Sequence, residues 1–451
     1  MGFFNQLFSK KEPQSNTQPE FAFGVEDTFR LSGTDDLIVV GQVRGTVIPG
    51  AAAYLHTWKD NDNTITLVTV AEVEINRQIV SSATDYTAGL RIKDGVKLDI
   101  RIGSVLATRS ISSAEVHSAY ISAIGNSYIG VRHFDLSDEE LQRMSITDMA
   151  EAWRLYLYSN QQGLPGSDPD PATRRQKIDR LADVLCKRIM EQEHIHFVFS
   201  PLTAEPFLFS ETIAHDNGTY ESTPPEIMMV TEPYLATYQD AYGKNPYELR
   251  TISCKEDPDA IKRLFYDAFY LNGATGLRIN SCAVGIVASM LLPPPNYDGI
   301  PEIQIPITNP DLMRWKLLMG QLDEPSTEEA QTIYKIYYGF FLRELTKAKF
   351  LIPMKQDIPC QPPDENGETV LKKDTTFALA TLPGKEDRPA VRMYTDWKRM
   401  QQVFDKDWNS MVQPISGMID VMDIAMNVTE HPAVGCYINR QTYEEAVKRA
   451  E

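Results

Sequence analysis

Short runs in which Val, Ile, Leu and Thr alternate or cluster among polar residues fill the chain from Phe21 to about Ala107. Gly, Asp and Asn separate the runs, and the cluster "KDNDN" (Lys59 to Asn63) predicts a hairpin tip. Because a closed sheet leaves no exposed strand edge, many short strands without helices predict a β-barrel or a sandwich. We place this all-β domain at residues 21–108.

The pattern then changes to a helical period. Ser137 and Glu140, three residues apart, form a capping-box signal, and Met149 and Trp153 begin an apolar stripe at helical spacing. The segment ends in "LPGSDPDP", whose prolines and glycine predict a break in the chain. We interpret residues 109–170 as a helical connector and assign no chemistry to them.

Beyond the connector the sequence repeats itself. Each copy begins with an amphipathic helix that leads to a short apolar strand, "HIHFVFSP" in the first copy and "KFLIPM" in the second. Ser326 and Glu329 mark the start of the second of these helices. Each copy then has an apolar strand that ends in a threonine, Thr231 or Thr395, followed by an acidic residue. Both threonines are good helix N-caps.

The two copies also end alike. A predicted helix, "DPDAIKRLFYDAFYLNG" or "MIDVMDIAMNV", is followed by "NGATGLRIN" or "HPAVGCYIN". This alignment pairs Gly276 with Gly435 and Asn280 with Asn439. Landmarks in the same order predict a duplication, and two similar domains side by side are expected to share a surface or a cleft.

Two stretches of the barrel region carry a resemblance. The first stretch is "VEDTFRLSGTDDLIVVGQVRGTVIPG", and the second is "GLRIKDGVKLDIRIGSVLA". The residues of the first stretch that carry the resemblance are Val25, Glu26, Asp27, Phe29, Gly33, Val40, Gly41, Val43, Gly45, Val47 and Gly50. Both stretches resemble the β-barrel second domain of EF-Tu-type translation GTPases, in which the barrel contributes to tRNA and ribosome contacts. The chain has no G-x-x-x-x-G-K-[ST], so its sequence lacks the phosphate-binding loop of those GTPases.

The second copy carries another resemblance, through "LTKAKFLIPM", "FALATLPGKEDRPAVRMYTDWKRM", "QPISGMIDVMDIAMN" and "AVGCYINRQTYEEAV". From about Leu345 to Val447 these stretches resemble the N-terminal domain of the SseB family, named for enhanced serine sensitivity in bacteria. The first copy, about Leu181 to Met290, resembles a degenerate version. The resemblance implies an α+β fold, a bacterial cytosolic setting, no established enzymatic activity and no defined catalytic residue.

The charge of the chain bears on its partners. Asp and Glu number 62 against 44 Lys and Arg, which gives a formal charge of -18 at pH 7. Broad binding to a phosphate backbone needs clustered Lys and Arg, so nucleic acid is a disfavoured partner, although a small basic patch stays possible.

Cysteines and apolar runs bear on the compartment. The five cysteines are scattered and form no CxxC, which is typical of a reducing compartment and of a protein without a thiolate metal site. The longest apolar run, "CAVGIVASMLL", is too short to span a bilayer. We therefore expect a cytoplasmic protein. The start, "MGFFNQLFSKK", is interpreted as a loose tail, with a membrane-surface helix as the alternative.

Three sequence features are candidate sites. His194 and His196 would point to one face of a strand beside Glu193 and could begin a metal site, but a site needs further ligands and the second copy has no equivalent histidine. "GATG" has the G-x-x-G form of a loop that clamps a nucleic-acid backbone, yet a strand-like "LRIN" follows it, and we interpret it as a helix-to-strand turn. No G-x-S-x-G or Cys/His signature predicts a nucleophile.

We therefore predict a non-enzymatic, bacterial, cytoplasmic interaction or adaptor protein that binds protein partners. We predict no catalytic, cofactor-binding or metal-binding residues. The alternatives are a translation- or RNA-associated factor that uses the barrel, and an enzyme with an unrecognised site. The predicted modules are a tail and linker (1–20), an EF-Tu domain-2-like β-barrel (21–108), a helical connector (109–170), a degenerate SseB-like α+β domain (171–300), a linker (301–325) and an SseB-like α+β domain (326–451).

Overall fold

A computed structural model describes residues 19–60, 64–280, 285–322, 324–356, 376–384 and 388–450. The chain divides into two compact units, one formed mainly by the residues up to Gln192 and one formed mainly by the residues from Glu193 onward. Most of the predicted tail and linker, the hairpin tip at 61–63, Cys282 and Cys360 lie outside the described residues.

In its described residues the first unit contains a barrel and four α-helices. Its elements are β1 (Phe21–Arg30), β2 (Leu37–Val47), β3 (Ala52–His56), β4 (Thr66–Ile75), β5 (Gln78–Val80), β6 (Ala83–Thr84), β7 (Thr87–Ile92), β8 (Val105–Ala107), α1 (Ser113–Ile124), α2 (Asp138–Arg143), α3 (Ile146–Gln162) and α4 (Pro171–Met190).

Six strands close the barrel that the sequence predicts. They pair in the order β1, β8, β3, β4, β7, β2, and β2 pairs with β1 to complete the ring. The alternation in the sequence sets which side chains fill it. Along β2, Leu37, Val39, Val43 and Val47 are buried, whereas Ile38, Val40 and Gln42, which alternate with them, are only half-buried. Because side chains alternate across a strand, one face of each strand supplies the barrel core and the other a surface.

Helix α1 packs directly on β1. A Cβ atom at Gly24 would lie 2.5 Å from the carbonyl oxygen of Ala119, so the glycine permits the close approach of helix and strand. The predicted capping box is present at α2, where Ser137 accepts a hydrogen bond from the Glu140 N–H. Trp153 is buried in α3, as its position in the predicted stripe indicates.

The second unit begins with the first copy of the repeat. Its elements are β9 (His194–Phe199), β10 (Thr212–Ala214), β11 (Tyr220–Ser222), β12 (Glu226–Val230), α5 (Leu235–Tyr242), β13 (Glu248–Ser253), α6 (Ala260–Tyr266), β14 (Gly276–Ile279), β15 (Gly285–Val287) and α7 (Ala288–Leu291). Five of the strands form a sheet in the order β13, β9, β12, β14, β15, in which only the pair β12–β14 is parallel.

The second copy completes the unit. Its elements, with the helix that precedes them, are α8 (Pro310–Gln321), α9 (Glu328–Leu345), β16 (Lys349–Gln356), β17 (Phe377–Leu379), β18 (Thr381–Leu382), β19 (Ala390–Met393), α10 (Trp397–Gln401), β20 (Asn409–Pro414), β21 (Asp423–Met426), β22 (Cys436–Ile438) and α11 (Arg440–Ala450). The N-cap of α9 is Thr327, one residue after the predicted Ser326. Helix α8 lies within the segment assigned to a linker.

The two copies share a strand order and one parallel pair. In the second copy β20 pairs with β16, β16 is bridged to the residue after β19, and β19, β21 and β22 follow in that order. After the parallel pair each copy has an asparagine with positive φ, Asn280 at 53° and Asn427 at 48°. Each donates its backbone N–H to a methionine carbonyl of the neighbouring strand, Met229 or Met393.

The sequence alignment of the two copies was therefore wrong at its end. Asn280 corresponds to Asn427, not to Asn439, and Gly276 corresponds to Asp423, not to Gly435. The predicted helix "MIDVMDIAMNV" is also wrong, because its second half is strand β21. The first copy has helix α6 between β13 and β14, whereas the second has only a 3-10 turn between β20 and β21. Because the second copy lacks this helix, each of its later residues that has a counterpart lies earlier in the sequence than the alignment assumed.

In the part of the chain that the structure describes, no helix is both long enough and apolar enough to cross a bilayer.

Candidate functional site

A groove of about 660 Å³ runs over the outer face of the barrel, where β2, β7 and β4 lie side by side. This volume falls within the range of about 300–1,000 Å³ that is usual for ligand pockets. The residues that line the groove include Phe29, Ile38, Val40, Glu74, Asp85, Tyr86 and Gly89.

Gly89 forms the floor of the groove. It lies on β7 directly between Val40 of β2 and Glu74 of β4, so an outward position in the middle of three strands has no side chain. A Cβ atom at Gly89 would be in ordinary contact, 3.6 Å from Cγ2 of Ile38, and the backbone there is outside the left-handed region. The fold therefore tolerates a side chain at this position, and the groove exists because the sequence places none there.

Two aromatic rings are exposed at the groove. Phe29 pairs with Ile38 across β1 and β2 and is 52% exposed, and Tyr86, which precedes β7, is 49% exposed. Both rings lie in the lining of the same groove, and apolar surface beside polar groups is typical of a binding site.

Charged groups border the apolar floor. Glu74 and the exposed Asp85 lie in the lining together with one cation, Arg77. Asp85 is held in place because its carboxylate accepts a hydrogen bond from the Gly45 N–H at 2.7 Å. The local charge is therefore negative, which favours a ligand with a positive group over a phosphate backbone.

A second polar cluster lies where the two copies of the repeat meet. Arg399 is buried, and its guanidinium donates to Asp396 at 2.5 Å, to Glu205 at 3.2 Å and to the Asn272 side-chain oxygen at 2.6 Å. Asn272 donates to Glu205 at 2.9 Å. The expected shared surface between the copies is present, and buried ion pairs fill it.

Lys398 extends this cluster. Its ammonium group lies 3.0 Å from Glu205 and 3.1 Å from Asp267. Burial alone would lower the pKa of Lys398, but the two carboxylates raise it, so the ammonium form is held. Burial also raises the pKa of Asp267, although Lys398 opposes that shift. Because each of these charges has a partner of opposite sign, we interpret the cluster as part of the packing between the copies and assign it no reaction.

The "GATG" stretch is a buried turn. Gly273 has φ 76°, and it, Ala274 and Gly276 are buried. A Cβ atom at Gly273 would lie 2.2 Å from the Pro310 carbonyl oxygen, and Arg314 donates to the Gly273 carbonyl at 2.7 Å. A loop that clamps nucleic acid must reach solvent, so the interpretation as a helix-to-strand turn is confirmed.

The two histidines lie together on β9, as the sequence predicts. Sequence reasoning did not find the groove or the ion cluster, because both depend on which strands and turns become neighbours. The sequence did contain one indication of the groove. In the alternating pattern of β7, Gly89 occupies an outward position, and it is the only glycine of that strand.

Translation factors are among the solved structures to which this chain is weakly similar. No protein-family model and no curated protein matches the chain. Translation elongation factor SelB from Methanococcus maripaludis, in complex with the GTP analogue GPPNHP, is 19% identical over 22% of this chain and 21% of its own, with a TM-score of 0.18. GDP-bound aIF5B from Aeropyrum pernix is 10% identical over 55% of this chain and 59% of its own, with a TM-score of 0.19.

These two solved structures are translation factors, and this chain matches about a fifth of the length of the first and less than two thirds of the second. With identities and TM-scores this low, they carry no argument about function. The closed six-stranded barrel is confirmed by the strand pairing itself. The SseB resemblance stays a prediction.

Proposed function

We propose that this protein is a non-catalytic interaction protein that binds a partner protein in the groove of its barrel. The partner contributes an extended segment in which an apolar residue stands next to a Lys or Arg. The observation that supports this proposal most directly is the floor of the groove at Gly89. The exposed rings of Phe29 and Tyr86 and the carboxylates of Glu74 and Asp85 border it.

The geometry supports each part of this ligand. The vacant space above Gly89 accepts an apolar side chain, which Ile38, Val40 and Phe29 would surround. The carboxylates near it attract a cationic side chain, and such charge complementarity contributes specificity and association rate. Aromatic anchors at the border of a pocket are typical of the residues that dominate protein interfaces.

The test uses a displayed library of random dodecapeptides selected on the full-length protein and, in parallel, on Gly89→Leu. The leucine fills the groove from a position whose added Cβ meets only ordinary contacts. We expect the wild type to enrich peptides with an apolar residue beside Lys or Arg, and we expect Gly89→Leu to bind a selected peptide at least tenfold more weakly. Leu67→Ala, which removes a 61% exposed side chain of β4 outside the groove lining, should leave the affinity unchanged.

The absence of enrichment on the wild type, or equal affinity of Gly89→Leu for the selected peptides, would contradict the proposal. Thermal denaturation of the variants checks that each is folded before binding is compared.

A translation- or RNA-associated factor is the second candidate. The exposed rings of Phe29 and Tyr86 favour it, because aromatic side chains beside a groove can stack on the bases of single-stranded RNA. Fluorescence anisotropy of a labelled RNA decamer, at low and at physiological salt, tests this candidate. Salt-sensitive binding that Tyr86→Ala weakens would support it over the peptide ligand.

A further inference from the structure

His194 and His196 lie side by side on one face of β9, because alternate residues of a strand point the same way. Their ring centroids are 5.3 Å apart, and a ring nitrogen of one lies within 4.8 Å of a ring nitrogen of the other. His196 is only 6% exposed.

The two histidines lie near the carboxyl ends of the parallel strands of their sheet. His196 pairs with Val230, the last residue of β12, and β12 runs parallel to β14. The histidines therefore lie at the end of the sheet where the parallel strands have their carboxyl ends, outside which ligands commonly bind.

The fold does not require histidine at either position. In the second copy Tyr394 takes the place of Val230, and its partner across the sheet is Leu351, which is buried. Leu351 thus corresponds to His196. A leucine satisfies the packing at this position, so the packing of the sheet does not by itself account for the imidazole.

The residue that corresponds to His194 is Lys349, two positions before Leu351. The sheet of the first copy thus has the two imidazoles, and the corresponding sheet of the second copy has neither.

His196 is also oriented by a neighbour. Its Nδ1 lies 2.8 Å from the hydroxyl of Thr251, the residue directly opposite on β13. Metal-binding histidines commonly use one ring nitrogen for the ion and hold the other with a hydrogen bond that fixes the ring. With Nδ1 next to Thr251, Nε2 of His196 is the ring nitrogen through which an ion would bond.

We propose that His194 and His196 bind a first-row transition-metal ion such as Zn²⁺ or Cu²⁺. Imidazole suits these ions, and the two ring nitrogens lie within 4.8 Å of each other. A modest rotation of the side chains would bring both to bonding distance from one ion, about 2.0–2.1 Å for zinc. This site is independent of the barrel groove. It revises the sequence expectation that the chain has no metal-binding residue.

Isothermal titration of the tag-free, full-length protein with ZnCl₂ tests the proposal. The variant His194→Lys/His196→Leu carries the residues of the second copy, so it is expected to fold. We expect the wild type to bind one equivalent and the double variant to bind at least tenfold more weakly. His215→Ala, which removes a histidine at the end of β10, should bind as the wild type does. Thr251→Val should weaken binding by about 10–100-fold.

Electron paramagnetic resonance of the Cu²⁺-loaded wild type is a readout that requires no variant. Coupling to two imidazole nitrogens is expected, and its loss in the double variant would assign them. The proposal is overturned if the wild type binds no Zn²⁺, if the double variant binds it equally well, or if the copper spectrum shows no imidazole coupling.

Discussion

The guanidinium group of Arg399 donates a hydrogen bond to the side-chain oxygen of Asn272, 2.6 Å away. Arg399 follows β19 in the second copy, and Asn272 precedes the turn into β14 in the first. This contact places a buried charge on the surface that the two copies share, and it makes the pairing of the copies sensitive to single substitutions.

Arg399→Met should destabilise the second unit strongly. The substitution leaves Asp396 buried without its cation and removes one of the two cations that contact Glu205, and breaking a buried pair in this way costs about 3–5 kcal/mol. Chemical denaturation measures the free energy of unfolding. Arg449→Met is the matched control, because it breaks an exposed pair with Glu445, and the expected change is within about 0.5 kcal/mol. Equal effects of the two substitutions would contradict the structural role of Arg399.

Acidification should destabilise the protein partly through Asp396. Burial alone would raise the pKa of Asp396, but the charge of Arg399 and hydrogen bonds from Arg399 and Thr395 hold it below its ordinary value. A carboxyl whose pKa is lowered by folding stabilises the protein above its unfolded pKa of about 3.9 and loses that contribution as the pH falls through the folded pKa. Urea denaturation from pH 7 to pH 3 should therefore show a shallower loss for Asp396→Asn than for the wild type.

Asp267 should have the opposite effect on the pH dependence of stability. Because burial raises its pKa, its protonation favours the folded state, and Asp267→Asn should make the loss of stability on acidification steeper. If both variants change the pH dependence in the same direction, the assigned electrostatics of the cluster is incorrect.

Gly273→Ala should cost more than its backbone conformation alone explains. Gly273 and Gly33 have similar φ values, 76° and 80°, but a Cβ at Gly33 meets nothing within 4 Å, whereas one at Gly273 lies 2.2 Å from the Pro310 carbonyl oxygen. Gly33→Ala should lose about 1–2 kcal/mol from backbone strain. Gly273→Ala should lose a further 1–3 kcal/mol or so from overpacking. Equal losses in denaturation experiments would show that the turn does not pack as described.

The barrel and the helix starts were predictable because they rest on local patterns. The alternation of β2 and the Ser137 capping signal each involve residues within one element. The strand β21 was mistaken for a helix because short apolar runs such as "DVMDIAM" fit both periods. The groove at Gly89 and the pair of Arg399 and Asn272 depend on register between distant segments, and no local pattern encodes that register.

The central claim is that the barrel groove binds a segment of a partner protein. A photo-crosslinking residue in place of Tyr86, in the full-length protein expressed in its native host, tests the claim most directly. We expect a crosslink to a protein segment that contains an apolar residue beside Lys or Arg. A peptide selected on the wild type should compete with this crosslink, and the Gly89→Leu background should abolish it. A crosslink to RNA, or a protein crosslink that neither the peptide nor Gly89→Leu reduces, would contradict it.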